Sequence, residues 1–511
     1  MAGDPVKIGP FVGGMNTYSG VSAIADNEAV EILNMDVDLD GSLVGRPGIN
    51  QYGTAPLSGT SHIIGQYTSV TGIFYAIYAF ANSVRALNTS DKTWSTIQAG
   101  VFTDCVQYNN KLWLVQMPSG TTQGGGSWDP VAGWTAVPTM PRGYSACIYK
   151  ERMFIAASVN SDTTSVNRVK FSNPANPGTW TSTDTFDVNA GDGQDIMCLY
   201  VFDSSIIIFK TDSTYIYAYE SQPTKGQVQA VSQTIGANNN FCTVEYENSL
   251  FVMHEDKVYR ISNWQWEHAN IKLPFQYRNT AISGQADGTS LAAVGNRIVA
   301  RYYDYYYCLG TKTGAWTTWI FGDGTSMFPT DFIRDPNIDP AAGTARYFAA
   351  NHVGGTTNWY IFVDAVNSVA RSETFTIRLI SKAYDYGVPY GFKRLYWWGA
   401  DIFSKSEIQY RVSPIAFNIP ITWGQLALHP FSEYLTWGRP LDISIDVSDS
   451  AGGSNPSNFR TFIKLLKGLR FRQLQFTLVT QSDGSTVTGP LRIFSLTSFV
   501  DNKELVSKKV S

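Results

Sequence analysis

The chain reads as an all-β protein, a degenerate β-propeller of six to seven blades joined to an antiparallel β-sandwich or jelly-roll. Three observations predict this. Four of the five cysteines open matching segments: Cys105-VQYNNKLWLV, Cys147-IYKERMFIA, Cys198-LYVFDSSIIIF and Cys242-TVEYENSLFVM. Each is a short apolar run, a polar turn and a second apolar run, the pattern of paired strands. The marks recur at intervals of roughly 40–50 residues, the period of a propeller blade. Several units also end in a small residue or turn followed by a tryptophan, at Trp94, Trp134, Trp180 and Trp316. A large ring at a fixed place in each blade can wedge between neighbouring sheets.

Residues 1–60 read as an N-terminal arm, part of a ring-forming platform. Gly13-Gly14 punctuate it, and Asp26 is placed to cap a short helix over 27–33, with Glu28 and Glu31 near its positive end. Met35, Val37 and Leu39 then alternate with Asp36, Asp38 and Asp40, which is strand periodicity. Asp40-Gly41 is a hairpin turn, and residues 42–44 return as its partner strand. Arg46-Pro47-Gly48 ends the unit.

Residues 61–371 carry the repeat. A first unit runs over 62–97, cysteine-marked units start near 102, 143, 194 and 241, a sixth contains LAAVGNRIVARYYDYYYC, and a seventh contains RYFAANHVGGTTNWYIFV. From 372 to 503 the strand-like runs are more widely spaced and do not repeat, which suits a sandwich formed with the arm. Residues 504–511 form a polar tail.

Composition narrows the function. The chain is 43% hydrophobic and 14% aromatic, so it folds; charged residues are only 16%, which leaves surface suited to assembly with partners. A net charge of −4 gives no global drive toward DNA or an anionic membrane. The cysteines sit on repeat-matched positions without a CxxC pair, so they read as small buried strand residues made in a reducing compartment. The first residues lack a secretory leader pattern, and no stretch approaches a membrane-spanning length.

No catalytic constellation stands out. Residues 36–41 (DVDLDG) match the first half of a calcium loop, but position twelve, where a bidentate Glu is needed, is Pro47; a hairpin with an acidic face is the reading, with no metal. Asp192 and Asp323 each lie in Gly-Asp-Gly, where a glycosidase acid could sit, but nothing pairs two carboxyls, and turns account for both. His62, His254, His268, His352 and His429 form no ligand pair, and His254-Glu255-Asp256 reads as a solvent-facing hairpin turn. No nucleophile elbow, phosphate loop or dinucleotide fingerprint follows a strand, so no catalytic or cofactor-binding residue is assigned and no cofactor is expected. The tyrosine run 302–307 is either a stacking platform for sugars or bases, or blade core on one side and interface on the other. Residues 450–482 contain no Asp or Glu but hold Arg460, Lys464, Lys467, Arg470 and Arg472. That run reads either as contact with nucleic-acid phosphate or an acidic partner, or as an exposed or intersubunit face that pairs with carboxylates.

An ordered series in the arm (GGMNT, IADNEA, Asn34-Met35, GSL and Arg46-Pro47-Gly48), followed by AYDYG, FKRL and LRFRQLQF near the end, resembles the tail tube nozzle proteins of short-tailed bacteriophages. The resemblance implies a structural virion protein, made in the host bacterial cytoplasm, whose copies form a ring, usually sixfold. It implies docking to a tail adaptor or tube and to fibre or tip proteins, transient non-specific contact with double-stranded DNA in a central channel, and no membrane insertion of its own. Asp26, Glu28, Asn34, Arg46 and the basic run 460–472 are the expected subunit contacts, with Arg46 as the arm's anchor. The alternatives are a propeller glycosidase or depolymerase and a carbohydrate-binding propeller.

Overall fold

A computed structural model describes residues 5–51, 61–117, 124–157, 167–275, 288–303, 305–321, 329–336, 345–351, 360–364, 376–384, 386, 393–404, 409–417, 445–446, 459–471, 473–480 and 491–501. Among these, six antiparallel four-stranded sheets and four antiparallel strands of a ten-stranded sheet form the seven blades of a closed propeller. The blades cover residues 61–99, 102–136, 143–187, 196–232, 243–268, 289–319 and 329–364. Within each, the first strand is innermost, as hairpin follows hairpin outward. The only helical element among the described residues is a single 3-10 turn, Pro223–Lys225.

Blades such as these are apolar on both faces because each is sandwiched between two neighbours. The second strand of blade one, Phe74–Phe80, is buried along its whole length. One apolar cluster lies in each junction from blade one round to blade seven, and another joins blade seven to blade one through Phe348 and Ala350 packed with Ile63, Phe74 and Tyr78. This last cluster closes the ring. All five cysteines are buried and reduced. Cys105, Cys147 and Cys198 lie on innermost strands, and burial pushes the Cys198 and Cys242 thiols up to about 12, so they are inert packing groups. Their small size matters: a Cβ on Gly65 of blade one would lie 2.4 Å from the Cys105 sulfur of blade two. The tryptophans wedge as predicted; Trp316, for instance, donates its indole N–H to the Ala269 carbonyl of blade five at 2.8 Å.

The fourth strand of blade seven does not follow it in sequence. Ile49–Gln51, from the arm, pairs with Tyr360–Asp364. Upstream, the arm contributes to three further places. Pro5–Ile8 and the hairpin Met35–Val37/Leu43–Gly45 join a six-stranded sheet with Lys393–Ser404, Phe459–Phe471 and Leu491–Asp501. Glu28–Leu33 lies between the outermost strand of blade six, Trp316–Trp319, and Arg378–Tyr384. It thereby fuses blade six with a second platform sheet that continues through Gln473–Thr480, Gln409–Phe417 and Ile445–Asp446. The two platform sheets share one core, in which Ile8, Leu43, Ile493 and Leu496 meet Ala29, Ile32, Leu379 and Phe476.

One local expectation is corrected. Residues 27–33 do not form a helix capped by Asp26; Glu28–Leu33 is a strand. Asp26 and Asn27 lie in the turn before it, where the Glu28 N–H donates to the Ala25 carbonyl. Pairing on both edges and burial of Ala29, Ile32 and Leu33 outweigh the weak local helix signal.

Candidate functional site

The arm junction is where most of the expected site residues fall. Asn34, in the left-handed region at φ 57°, turns the chain between two strands that lie in different sheets. Its side-chain oxygen accepts from the Ile320 N–H at 2.8 Å and from Arg46 Nε at 2.9 Å, and its amide donates to the Thr376 carbonyl at 2.7 Å. Arg46 is wholly buried. Its Nη1 and Nη2 donate to the Pro47 and Ile320 carbonyls, each at 2.9 Å, and its guanidinium lies 4.5 Å from the centre of the Phe321 ring. Glu28 is buried too; its carboxylate accepts from Asn16 Nδ2 at 2.8 Å, the Ala25 N–H at 2.9 Å and Lys272 Nζ at 2.7 Å. Burial works to raise its pKa, but these donors outweigh burial and hold the carboxyl below its ordinary value. Glu28, Asn34 and Arg46, expected at or near subunit contacts, are buried within the chain itself, as internal clamps that join arm to propeller. Asp26 alone of the four is exposed, and it receives a hydrogen bond from Lys382.

Gly14 shows how close the arm runs to blade six, since a Cβ there would come within 2.7 Å of the Trp316 backbone nitrogen. The DVDLDG hairpin forms with Met35 opposite Gly45 and Val37 opposite Leu43. Its Asp36 turns toward blade six, accepting from Arg297 Nε at 2.8 Å and Trp319 Nε1 at 2.9 Å.

The other sequence candidates divide. Arg460, Lys464, Lys467 and Arg470 lie on Phe459–Phe471, an end strand of the six-stranded sheet, whereas Arg472 lies outside the described residues, as do Asp323, His352, His429 and the tail 504–511. Asp192 is a turn residue just before blade four, bound to the buried Lys210 of that blade. His254 is buried at a strand end, 3.3 Å from Asp212, rather than solvent-facing, because blade four packs over it. In the 302–307 run Tyr306 and Tyr307 are core on opposite faces, Tyr307 stacked on Phe275 at 4.0 Å and Tyr306 edge-on to Phe321 at 4.7 Å, while Tyr302, Tyr303 and Tyr305 are half-buried.

Sequence reasoning missed the propeller axis. Residues 238–242, between blades four and five, cross it. Asn240 donates to the Thr103 carbonyl of blade two at 2.9 Å and the Tyr144 carbonyl of blade three at 3.2 Å. Asn239 donates to the Thr289 carbonyl of blade six at 2.9 Å. Phe241 stacks on His62 of blade one at 5.0 Å, and His62 Nδ1 is 3.0 Å from Asp331 of blade seven. The segment is a hub, and the Asn238-Asn239-Asn240 run was its only sequence trace. Above it opens a cavity of about 430 Å³. In blades one to four the innermost strand slips register near its start, and the displaced residues Ile64, Thr103, Tyr144 and Met197 all line this cavity. A bulge re-aims a side chain, here toward the axis.

Beside the hub, Asp104 accepts from the Cys105 N–H at 2.8 Å and the Ala146 N–H at 2.7 Å. Burial raises its carboxyl to about 7 despite these bonds. A carboxyl with a raised pKa binds its proton more tightly folded than unfolded. Its contribution is thus full below about pH 4, where the unfolded chain is also protonated, and is lost as pH rises through about 7. Urea midpoints measured at pH 5 and pH 8 should fall with rising pH, and Asp104→Asn should remove much of that slope.

These features define a seven-bladed propeller, blocked on its axis and sewn by an N-terminal arm to a two-sheet platform. No family model matches the chain, and no curated protein does. Among solved structures it is similar to the extracellular domain of a hybrid two-component system from B. thetaiotaomicron, at 11% identity over 68% of this chain and TM-score 0.41; the chain spans 42% of that one's length. It is also similar to the AfRom2 CNH domain, at 9% identity over 61% of this chain and 98% of that one, TM-score 0.40. A catalytically inactive virginiamycin B lyase from Staphylococcus aureus with quinupristin aligns at 10% identity over 61% of this chain and 99% of that one, TM-score 0.41.

Proposed function

We propose that the chain is a non-enzymatic subunit of a short-tailed phage nozzle, made in the bacterial cytoplasm and built into the virion as a ring of identical copies, usually six. Tail adaptor or tube proteins and fibre or tip proteins dock on it, and DNA passes between subunits rather than through the propeller. The observation that carries this reading is the arm, whose strands enter both platform sheets, extend blade six and complete blade seven. A body sewn together in this way transmits load without separating its parts. The blocked propeller axis agrees with a channel on the ring axis instead.

Charge supports a head-to-tail contact between copies. The hairpin tip, with Asp38, Asp40 and a Leu39 that is 67% exposed, lies at one side of the six-stranded sheet, and the strand bearing Arg460, Lys464, Lys467 and Arg470 forms the other. Opposite ends of opposite charge generate a closed ring when the rotation closes. Sedimentation and negative-stain images of the purified chain should give rings with an axial opening. Lys464→Glu with Arg470→Glu should shift them toward monomers while circular dichroism stays unchanged. A chain that remains monomeric at every concentration and releases reducing sugar from capsule would replace this reading with the glycosidase.

A further inference from the structure

We infer that the axial cavity binds a small organic cation, an alkylammonium or guanidinium of amino-acid size. This inference is independent of the ring proposal. The cavity is concave and of ligand size, and the bulges of four blades converge on it. Its charge is one-sided. The amide donors of its three asparagines are engaged elsewhere: Asn238 on the Glu255 carbonyl, Asn239 on Thr289, and Asn240 on Thr103 and Tyr144. The Asn238 and Asn239 side-chain oxygens are engaged as well, accepting from the Glu255 and Phe241 N–H groups at 2.6 and 2.8 Å, so the charge at the lining comes from Asp195.

Asp195 is exposed and puts a carboxylate at the lining, and Tyr144 lines the same cavity. No lysine or arginine is among the described lining residues. Behind His62, the Asp331 side chain is 5% exposed and one of its carboxylate oxygens, Oδ1, accepts no hydrogen bond, which deepens the negative field. The remaining walls are ring faces and aliphatic carbons, including Phe80, Phe102, Phe241 and Met197. A carboxylate at the lining, no basic side chain among its described residues and aromatic walls together select a cation with an apolar stem. An anion is repelled, and a sugar finds few donors for its own oxygens.

Saturation-transfer NMR on the full chain tests this with agmatine, methyl α-D-glucoside and glutarate as probes. Agmatine should receive saturation at millimolar concentration and the other two should not. Asp195→Asn, at an exposed position that the fold does not need, should weaken agmatine about tenfold or more. Tyr144→Phe should weaken it less. No transfer to agmatine, undiminished affinity in Asp195→Asn, or preferential binding of the glucoside or glutarate would each overturn the inference.

Discussion

Arg46→Ala should destabilise the protein by about 3–5 kcal/mol, the cost of breaking a buried hydrogen-bonded charge site. The substitution would strip donors from the Pro47 and Ile320 carbonyls, release the Asn34 side-chain oxygen and leave a void over Phe321. Ile320 follows directly on the last strand of blade six, and Pro47 lies just before the arm strand that completes blade seven. The loss should therefore act on ring closure as well as on the platform. Proteolysis should cut between the arm and blade one sooner in the variant, and its urea midpoint should fall. Arg46→Lys should restore little, because one ammonium cannot reach the Asn34 oxygen and two carbonyls in the plane that the guanidinium uses. A midpoint within about 0.5 kcal/mol of wild type, the usual effect of a surface change, would show that the clamp is dispensable.

Asp192→Ala should have an effect of similar size for a different reason. The Lys210 side chain is completely buried, its ammonium held by both Asp192 oxygens at 2.5 and 2.6 Å and by the Val188 carbonyl at 3.3 Å. Removing the carboxylate strands a buried charge, which costs about 3–5 kcal/mol. Removing both charges, as Asp192→Ala with Lys210→Met, should cost much less, because no unpaired charge is then left buried. Burial acts to raise the Asp192 carboxyl, but the Lys210 ammonium, the Gln194 N–H and the Asn189 amide more than offset it and hold it below its ordinary value. A depressed pKa means the folded chain binds fewer protons than the unfolded one near pH 4. The stabilisation is present at neutral pH and is lost as pH falls below the ordinary carboxylate range. The penalty of Asp192→Ala should accordingly shrink in acid, the opposite of the trend set by Asp104. Denaturation midpoints of wild type and both variants at pH 3.5 and pH 7 would separate the two carboxyls.

Blade boundaries were legible because each blade is a local object. Its strands pair with their sequence neighbours, so the apolar–turn–apolar pattern after Cys105, Cys147, Cys198 and Cys242 carried nearly the whole arrangement. The DVDLDG hairpin was legible for the same reason. The strand Glu28–Leu33 was not, because its partners lie hundreds of residues away at Trp316–Trp319 and Arg378–Tyr384, and its own residues carry only a weak preference. Arg46 could be recognised as an anchor but not as a buried one, since a guanidinium that clamps carbonyls within a chain has the same sequence as one that meets a partner.

The axial site was invisible for a similar reason. His62, Tyr144, Asp195 and Phe241 come from four separate stretches and share no motif. Their meeting depends on how the blades arrange their first strands around one axis and on where each strand slips.

Strand periodicity, the repeat length and the burial of the cysteines follow from the order of residues alone, because they rest on contacts between near neighbours. Closure of the ring by Ile49–Gln51, fusion of blade six with the platform and convergence on the axis were decided only by the tertiary structure. Pairing over long separations depends on which edges and faces remain uncovered once the local sheets exist, and no short stretch of chain records that.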